Sequence, residues 1–190
     1  MTLKVLVPRR IEDDRGWFSE TWNRSRLEAA GISVSFCQDN QSLSRPAGTL
    51  RGLHFQAPPF AQTKLVRCIR GRIFDVAVDI RADSPTFGQW SSVELSADNG
   101  KQLLIPVGYA HGFLTLEPDC EIAYKVDAHY SAECDGGIAW NDPAIGIAWP
   151  LGAMNPLLSV KDQALPRLET LVTHFPYDGN PLGAIEEIQV

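Results

Sequence analysis

Phe74-Asp75-Val76-Ala77-Val78-Asp79-Ile80-Arg81 sets apolar Phe74, Val76, Val78 and Ile80 against Asp75, Ala77, Asp79 and Arg81 at a period of two. Side chains alternate across a strand, so this spacing predicts a β-strand with the first set buried and the second turned to solvent. Working outward, shorter runs of the same kind predict strands over 64–69, 90–95, 102–105, 113–116 and 122–126. Turn formers separate them: Gly71-Arg72, Ala82-Asp83-Ser84-Pro85, Asp98-Asn99-Gly100, Pro106-Val107-Gly108 and Glu117-Pro118-Asp119. Such regular punctuation predicts an antiparallel sandwich or barrel.

Helix is expected in two places. Residues 24–30 should make about two turns, with Asn23 or Ser25 as N-cap and Gly31 at the stop. Ser159-Val160-Lys161-Asp162 has the spacing of a capping box, with Asp in place of the preferred Glu. The tail beyond Pro166, rich in Pro, Gly and Glu, is expected to be a loosely packed extension or an arm against a partner subunit.

With 190 residues, 44% hydrophobic and 21% charged, the chain suits one domain over 1–190 with a core of its own, which excludes disorder and fibres. A net charge of -6 without any run of basic residues argues against nucleic-acid and membrane partners, and no apolar run approaches the roughly 20 residues of a membrane helix. An anionic ligand would need a local basic pocket. Cys37, Cys68, Cys120 and Cys134 are widely spaced with no CxxC pair, and the apolar run over 3–7 is short and interrupted by Lys4, unlike a secretory leader. The expected setting is cytoplasmic, with reduced thiols.

Chemistry concentrates in Leu50-Arg51-Gly52-Leu53-His54-Phe55-Gln56 and the following Lys64-Leu65-Val66-Arg67. Cations near an imidazole lower its pKa and keep it neutral, as a general base requires. Alternation would put Arg51 on the face opposite His54 unless Gly52 introduces a bulge, and a bulge is what we expect. Each candidate also has a structural reading. His54 fits a hydrogen-bonded core histidine, Tyr124 on the face of Ile122 and Val126 fits core filler, and Asp162 fits the third residue of a capping box. Arg15, in a turn entering an aromatic strand, is either solvated or a bidentate phosphate clamp.

Pro106-Val107-Gly108-Tyr109-Ala110-His111 has the P-x-G-x-x-H form of the second motif of the cupin superfamily of double-sheet jelly rolls. The H-x-H pair of the first cupin motif is missing, because Gln56 stands two residues after His54, and His129 and His174 lie beyond the second motif. No metal site of the usual cupin kind can be assembled.

Asp14 to Glu20, Gln38-Asp39-Asn40, Leu50–Gln56, 64–67, 74–81, Ser84-Pro85-Thr86-Phe87-Gly88-Gln89-Trp90, 105–113, Tyr124-Lys125, Trp140-Asn141-Asp142 and Lys161-Asp162 together resemble the dTDP-4-dehydrorhamnose 3,5-epimerase family, in unbroken order over roughly residues 8–166. Residues 167–190 fall outside the resemblance. It implies a mainly β, double-sheet antiparallel jelly roll with a few short helices. It also implies a homodimer with exchanged N-terminal strands that uses no cofactor or metal and inverts C3 and C5 of dTDP-4-dehydro-6-deoxy-glucose. By the family pattern His54 is the base, Asp162 orients it, Tyr124 donates from the opposite face, and Lys64 with His111 stabilises the enolate. Arg15 and Arg51 would hold the diphosphate, Gln38 and Asn40 polar groups, Glu20 the thymine or ribose and Asp135 the nucleotide, with Lys161 also among the substrate-binding residues. Arg15 and Glu20 are expected to serve the partner's site. Two positions depart from the pattern: Trp17 stands where phenylalanine is usual, and Asp135 where glutamate is common. Rival readings are an epimerase acting at C3 or C5 only, a non-catalytic sugar-binding cupin and, last, a metal-dependent cupin oxygenase.

Overall fold

The computed structural model describes residues 1–190. In chain order the elements are β1 (Lys4–Val7), β2 (Arg10–Asp13), β3 (Gly16–Ser19), α1 (Arg24–Ala29), β4 (Gln38–Ser44), β5 (Leu50–Gln56), β6 (Lys64–Arg70) and β7 (Arg72–Asp79). There follow β8 (Trp90–Ser96), β9 (Gln102–Ile105), β10 (Tyr109–Thr115), β11 (Cys120–Val126), β12 (Asp135–Gly137), α2 (Val160–Gln163), a single 3-10 turn at Leu168–Thr170 and β13 (Glu186–Gln189). Two sheets face each other, in the orders β13-β1-β9-β6-β11-β4 and β12-β5-β10-β7-β8, while β2 and β3 form a separate hairpin. All pairings are antiparallel except β13 on β1, giving the expected double-sheet jelly roll. No helix is long and apolar enough to cross a membrane.

Val66, Ile73, Ala77, Leu103, Phe113 and Ile122 fill the space between the sheets. Leu6, Leu65 and Leu104 pack outside the six-stranded sheet beneath Leu27 of α1 and Ile32. Asn23 caps α1, its side chain accepting from the Arg26 amide at 3.3 Å.

The opening strand corrects its own reading. β7 is flanked by β10 and β8, and both its faces are covered: Val76, Val78 and Ile80 lie under Ile138, Ile145, Leu168 and Phe175, while Asp75 and Ala77 turn inward. The face expected in water therefore holds Asp75 and Asp79 at 0% exposure and Arg81 at 2%. Buried charge needs partners, and Asp79 has them in Arg81 Nε (2.9 Å) and Nη2 (2.8 Å), Ser84 Oγ (2.7 Å) and Thr86 Oγ1 (2.7 Å). Burial pushes the Asp79 pKa up, but these donors prevail and hold it below the ordinary range.

The tail is likewise better anchored than a loose extension. Phe175 is buried and packs edge-on against Phe55, Asp178 accepts from Arg81 Nη1 at 2.8 Å, and β13 lies along β1 from Lys4↔Glu186 to Val7↔Gln189. Its prolines and glycines break any period, so anchors at irregular spacing do not register as a pattern.

Gly52 does introduce the bulge. His54 pairs with His111 and Arg51 with Phe113, so Gly52 and Leu53 together oppose Gly112. Gly52 has φ +133°, and a Cβ there would lie 2.5 Å from the Gly112 Cα. Only glycine suits that combination. The extra residue brings Arg51 to the same side as His54.

Candidate active site

At the edge where β4 and β12 lie, the two sheets part around an open cavity of about 230 Å³. His54 of β5 enters it from one sheet; Lys64 of β6 and Tyr124 of β11 enter from the other. Gln38 and Asn40 of β4, Asp135 of β12 and Lys161 of α2 complete the predicted part of the wall.

Ser159 starts α2 as its N-cap, its hydroxyl accepting from the Asp162 amide at 3.0 Å. The capping-box reading is thus half met. The Asp162 carboxylate, instead of returning to the cap, meets His54 Nε2 at 2.5 Å. Burial would raise the Asp162 pKa, but the hydrogen bond and charge of His54, with Ser159 and Lys161, hold it below the usual carboxylate range. An ionised carboxylate only accepts, so Nε2 carries a proton, and the neutral form of the ring has its lone pair on Nδ1.

Lys64 Nζ donates to the His54 carbonyl at 3.4 Å. Burial pushes its pKa down to about 8, against the opposing pull of Asp75 and Asp135. For Tyr124, burial raises the phenol pKa and the Arg51 charge works against it, so the hydroxyl stays protonated at neutral pH. Arg51 spans the gap between sheets, donating to Ser44 Oγ and the Leu43 carbonyl, both at 3.2 Å. His111 stands opposite His54 on the neighbouring strand but is buried, its Nε2 lying 2.9 and 3.1 Å from the two Asp75 oxygens. At the rim, Asp135 accepts from Lys161 and, at 3.1 Å, from the Tyr130 hydroxyl.

Arg15 and Glu20 are not part of this wall. Arg15 pairs with Asp13 at the hairpin turn, its side chain 89% exposed, and Glu20 pairs with Arg26 at 2.9 Å. Sequence reasoning passed over Phe55, Gln56, Gln62 and Tyr130, all in the cavity wall, and Asp75 behind it. Gln56 shares the alternating face of His54 and could have been found. It donates to the Phe60 carbonyl at 2.8 Å and the His129 carbonyl at 3.2 Å and accepts from the Ser131 amide at 2.7 Å, tying two loops to the cavity wall. Tyr130 follows the end of β11, where no period exists to read.

The arrangement offers an imidazole with an orienting carboxylate, a protonated phenol and a lysine ammonium around one cavity, which suits proton abstraction next to a carbonyl. Residues 2–170 match the model of a protein family described as dTDP-4-dehydrorhamnose 3,5-epimerase. The dTDP-4-dehydrorhamnose 3,5-epimerase of Sinorhizobium fredii NGR234 is 53% identical over 175 residues, 92% of this chain and 89% of that protein. The crystal structure of the enzyme of that name from Bacillus anthracis, with TDP and PPi bound, superposes with a TM-score of 0.84 at 54% identity, covering 87% of this chain and 93% of that one. A dTDP-6-deoxy-D-glucose-3,5-epimerase from Legionella pneumophila, in complex with dTDP-4-keto-L-rhamnose, gives 0.88 at 43% identity over 93% of this chain and 94% of its own. The family match over most of the length and the likeness in both sequence and fold agree, and this chain belongs to the dTDP-4-dehydrorhamnose 3,5-epimerase family.

Proposed function

We propose that the protein epimerises C3 and C5 of dTDP-4-dehydro-6-deoxy-D-glucose, giving dTDP-4-dehydro-L-rhamnose through enolate intermediates. The observation that carries this reading is the shared cavity of His54, Lys64 and Tyr124, with Asp162 behind the imidazole. Both carbons flank the C4 ketone, so their protons are acidified by the same carbonyl. His54 Nδ1 takes the proton, the bonding electrons move to the C4 oxygen, and the Lys64 ammonium stabilises the resulting charge. The Tyr124 hydroxyl then delivers a proton to the opposite face, inverting the centre. Solvent removes the proton from His54 and restores that of Tyr124.

In D₂O, enzyme and substrate should incorporate deuterium at both C3 and C5, followed as loss of the two proton signals by NMR. Label at one carbon only would replace this reading by a single-centre epimerase. Binding with no exchange at either carbon would replace it by a sugar-binding protein.

On the same reading Arg51, Gln38, Asn40, Asp135 and Lys161 hold the nucleotide and sugar, and Arg15 and Glu20 reach the site of a second subunit through an exchanged N-terminal segment. The exposed apolar side chains of the hairpin, Ile11, Trp17 and Phe18, support such an exchange. Inactive His54→Gln and Arg15→Ala variants, mixed and allowed to exchange subunits, should recover about a quarter of wild-type sites. Half of the dimers are then mixed, and each of these has one intact site. No recovery on mixing would place Arg15 in its own chain's site or outside any site.

A further inference from the structure

Asp75 lies on the inner face of β7 at 0% exposure, and its side-chain hydrogen bonds both come from one group, His111 Nε2, at 2.9 and 3.1 Å. The contrast with Asp79 two residues on is sharp, since that carboxylate is enclosed by a guanidinium and two hydroxyls. Lys64, on the facing sheet, is in the converse position: its ammonium has no carboxylate within ion-pair distance and donates to a backbone carbonyl, that of His54. A charge withdrawn from water with no direct counter-ion demands compensation from the nearest opposite charge.

We propose that Asp75 is a positioning residue of this site: clamped by His111, its carboxylate is the counter-charge that keeps Lys64 an ammonium when the enolate forms. The proposal rests on the epimerase reading above. Titratable groups stand around Lys64 on several elements. Asp75 comes from β7, His111 from β10, His54 from β5, Tyr124 from β11, Asp135 from β12 and Lys161 from α2. Asp135 already spends its carboxylate on Lys161 and Tyr130 at the rim, and Lys161 adds charge of the wrong sign. Burial is the main force lowering the Lys64 pKa to about 8, and among the groups opposing it the charge of Asp75 comes first.

Asp75→Asn keeps the side-chain shape and an oxygen for His111 but removes the charge. The pH dependence of kcat/KM reports groups of the free enzyme. Its alkaline limb should lie near 8 in the wild type, where Lys64 loses its proton, and should move down by about one pH unit in the variant. A one-unit shift makes the deficit about 1.3-fold at pH 6.5 and about eightfold at pH 8.5. Asp75→Glu, which keeps the charge, should return the limb toward the wild-type position. A deficit equal at every pH, or an unmoved limb, would overturn the proposal.

Should Asp75→Asn fail to fold, the ¹⁵N NMR shifts of His111 in the wild-type protein decide the matter. A proton on Nε2 is expected, because an ionised Asp75 can only accept. An unprotonated Nε2 would mean that Asp75 itself carries the proton and has no charge to lend. A wild-type protein that exchanges no label in D₂O defeats the epimerase reading, whereas an active enzyme with an unmoved limb defeats only the role of Asp75.

Discussion

His54→Gln is expected to lower turnover by about 10²–10⁴-fold, the typical worth of a positioned base, and to abolish deuterium entry at both C3 and C5. The glutamine amide can still donate to Asp162, which is 4% exposed and would otherwise lose its partner from His54. What disappears is the basic lone pair. On the proposed mechanism one residue serves both carbons, so the two exchange rates should fall together. Thermal melting should show a transition close to that of the wild type, and NMR in D₂O supplies the rates. Wild-type exchange in a folded variant would remove His54 from the role of base.

Tyr124→Phe should separate two events that the wild type couples. Inversion is expected to fall by about 10²–10⁴-fold, while abstraction by His54 continues. The enolate would then recover its proton from the side it left, so label enters with configuration retained. Comparing the rate of deuterium uptake with the rate of product appearance measures this directly, and the ratio should rise steeply in the variant. Equal losses in both rates would mean that the phenol acts before or during abstraction. Tyr124 lines the open cavity, so removing its hydroxyl strands no buried partner.

Strands were legible because a period of two survives any environment, as 74–81 and 122–126 illustrate. Which face meets water was not. In β7 Asp75 and Asp79 are buried because His111 and Arg81 with its neighbouring hydroxyls give them partners, and the apolar set lies outside because residues near 138–175 cover it. Periodicity reports a difference between faces without its sign. The site was legible at His54 and its cations through their crowding in one short stretch. Asp162 shows why local pattern alone falls short: its amide obeys the capping rule, while its carboxylate serves a histidine 108 residues away in sequence. Asp75 was hidden by the same inversion of faces. The roles proposed for Arg15 and Glu20 concern a second chain, which no local pattern along one chain describes.

The bulge at Gly52 bears on how such a site can diverge. The residues to which the proposed mechanism gives chemistry are interleaved with residues that fill the core: His54 follows Leu53, and Tyr124 shares its face with buried Ile122 and Val126. Deleting one residue from β5 would restore plain alternation and turn either Arg51 or His54 away from the substrate, and an insertion would do the same in reverse. New specificities in this lineage should therefore arise by replacement within strands, with changes of length confined to the loops that rim the opening.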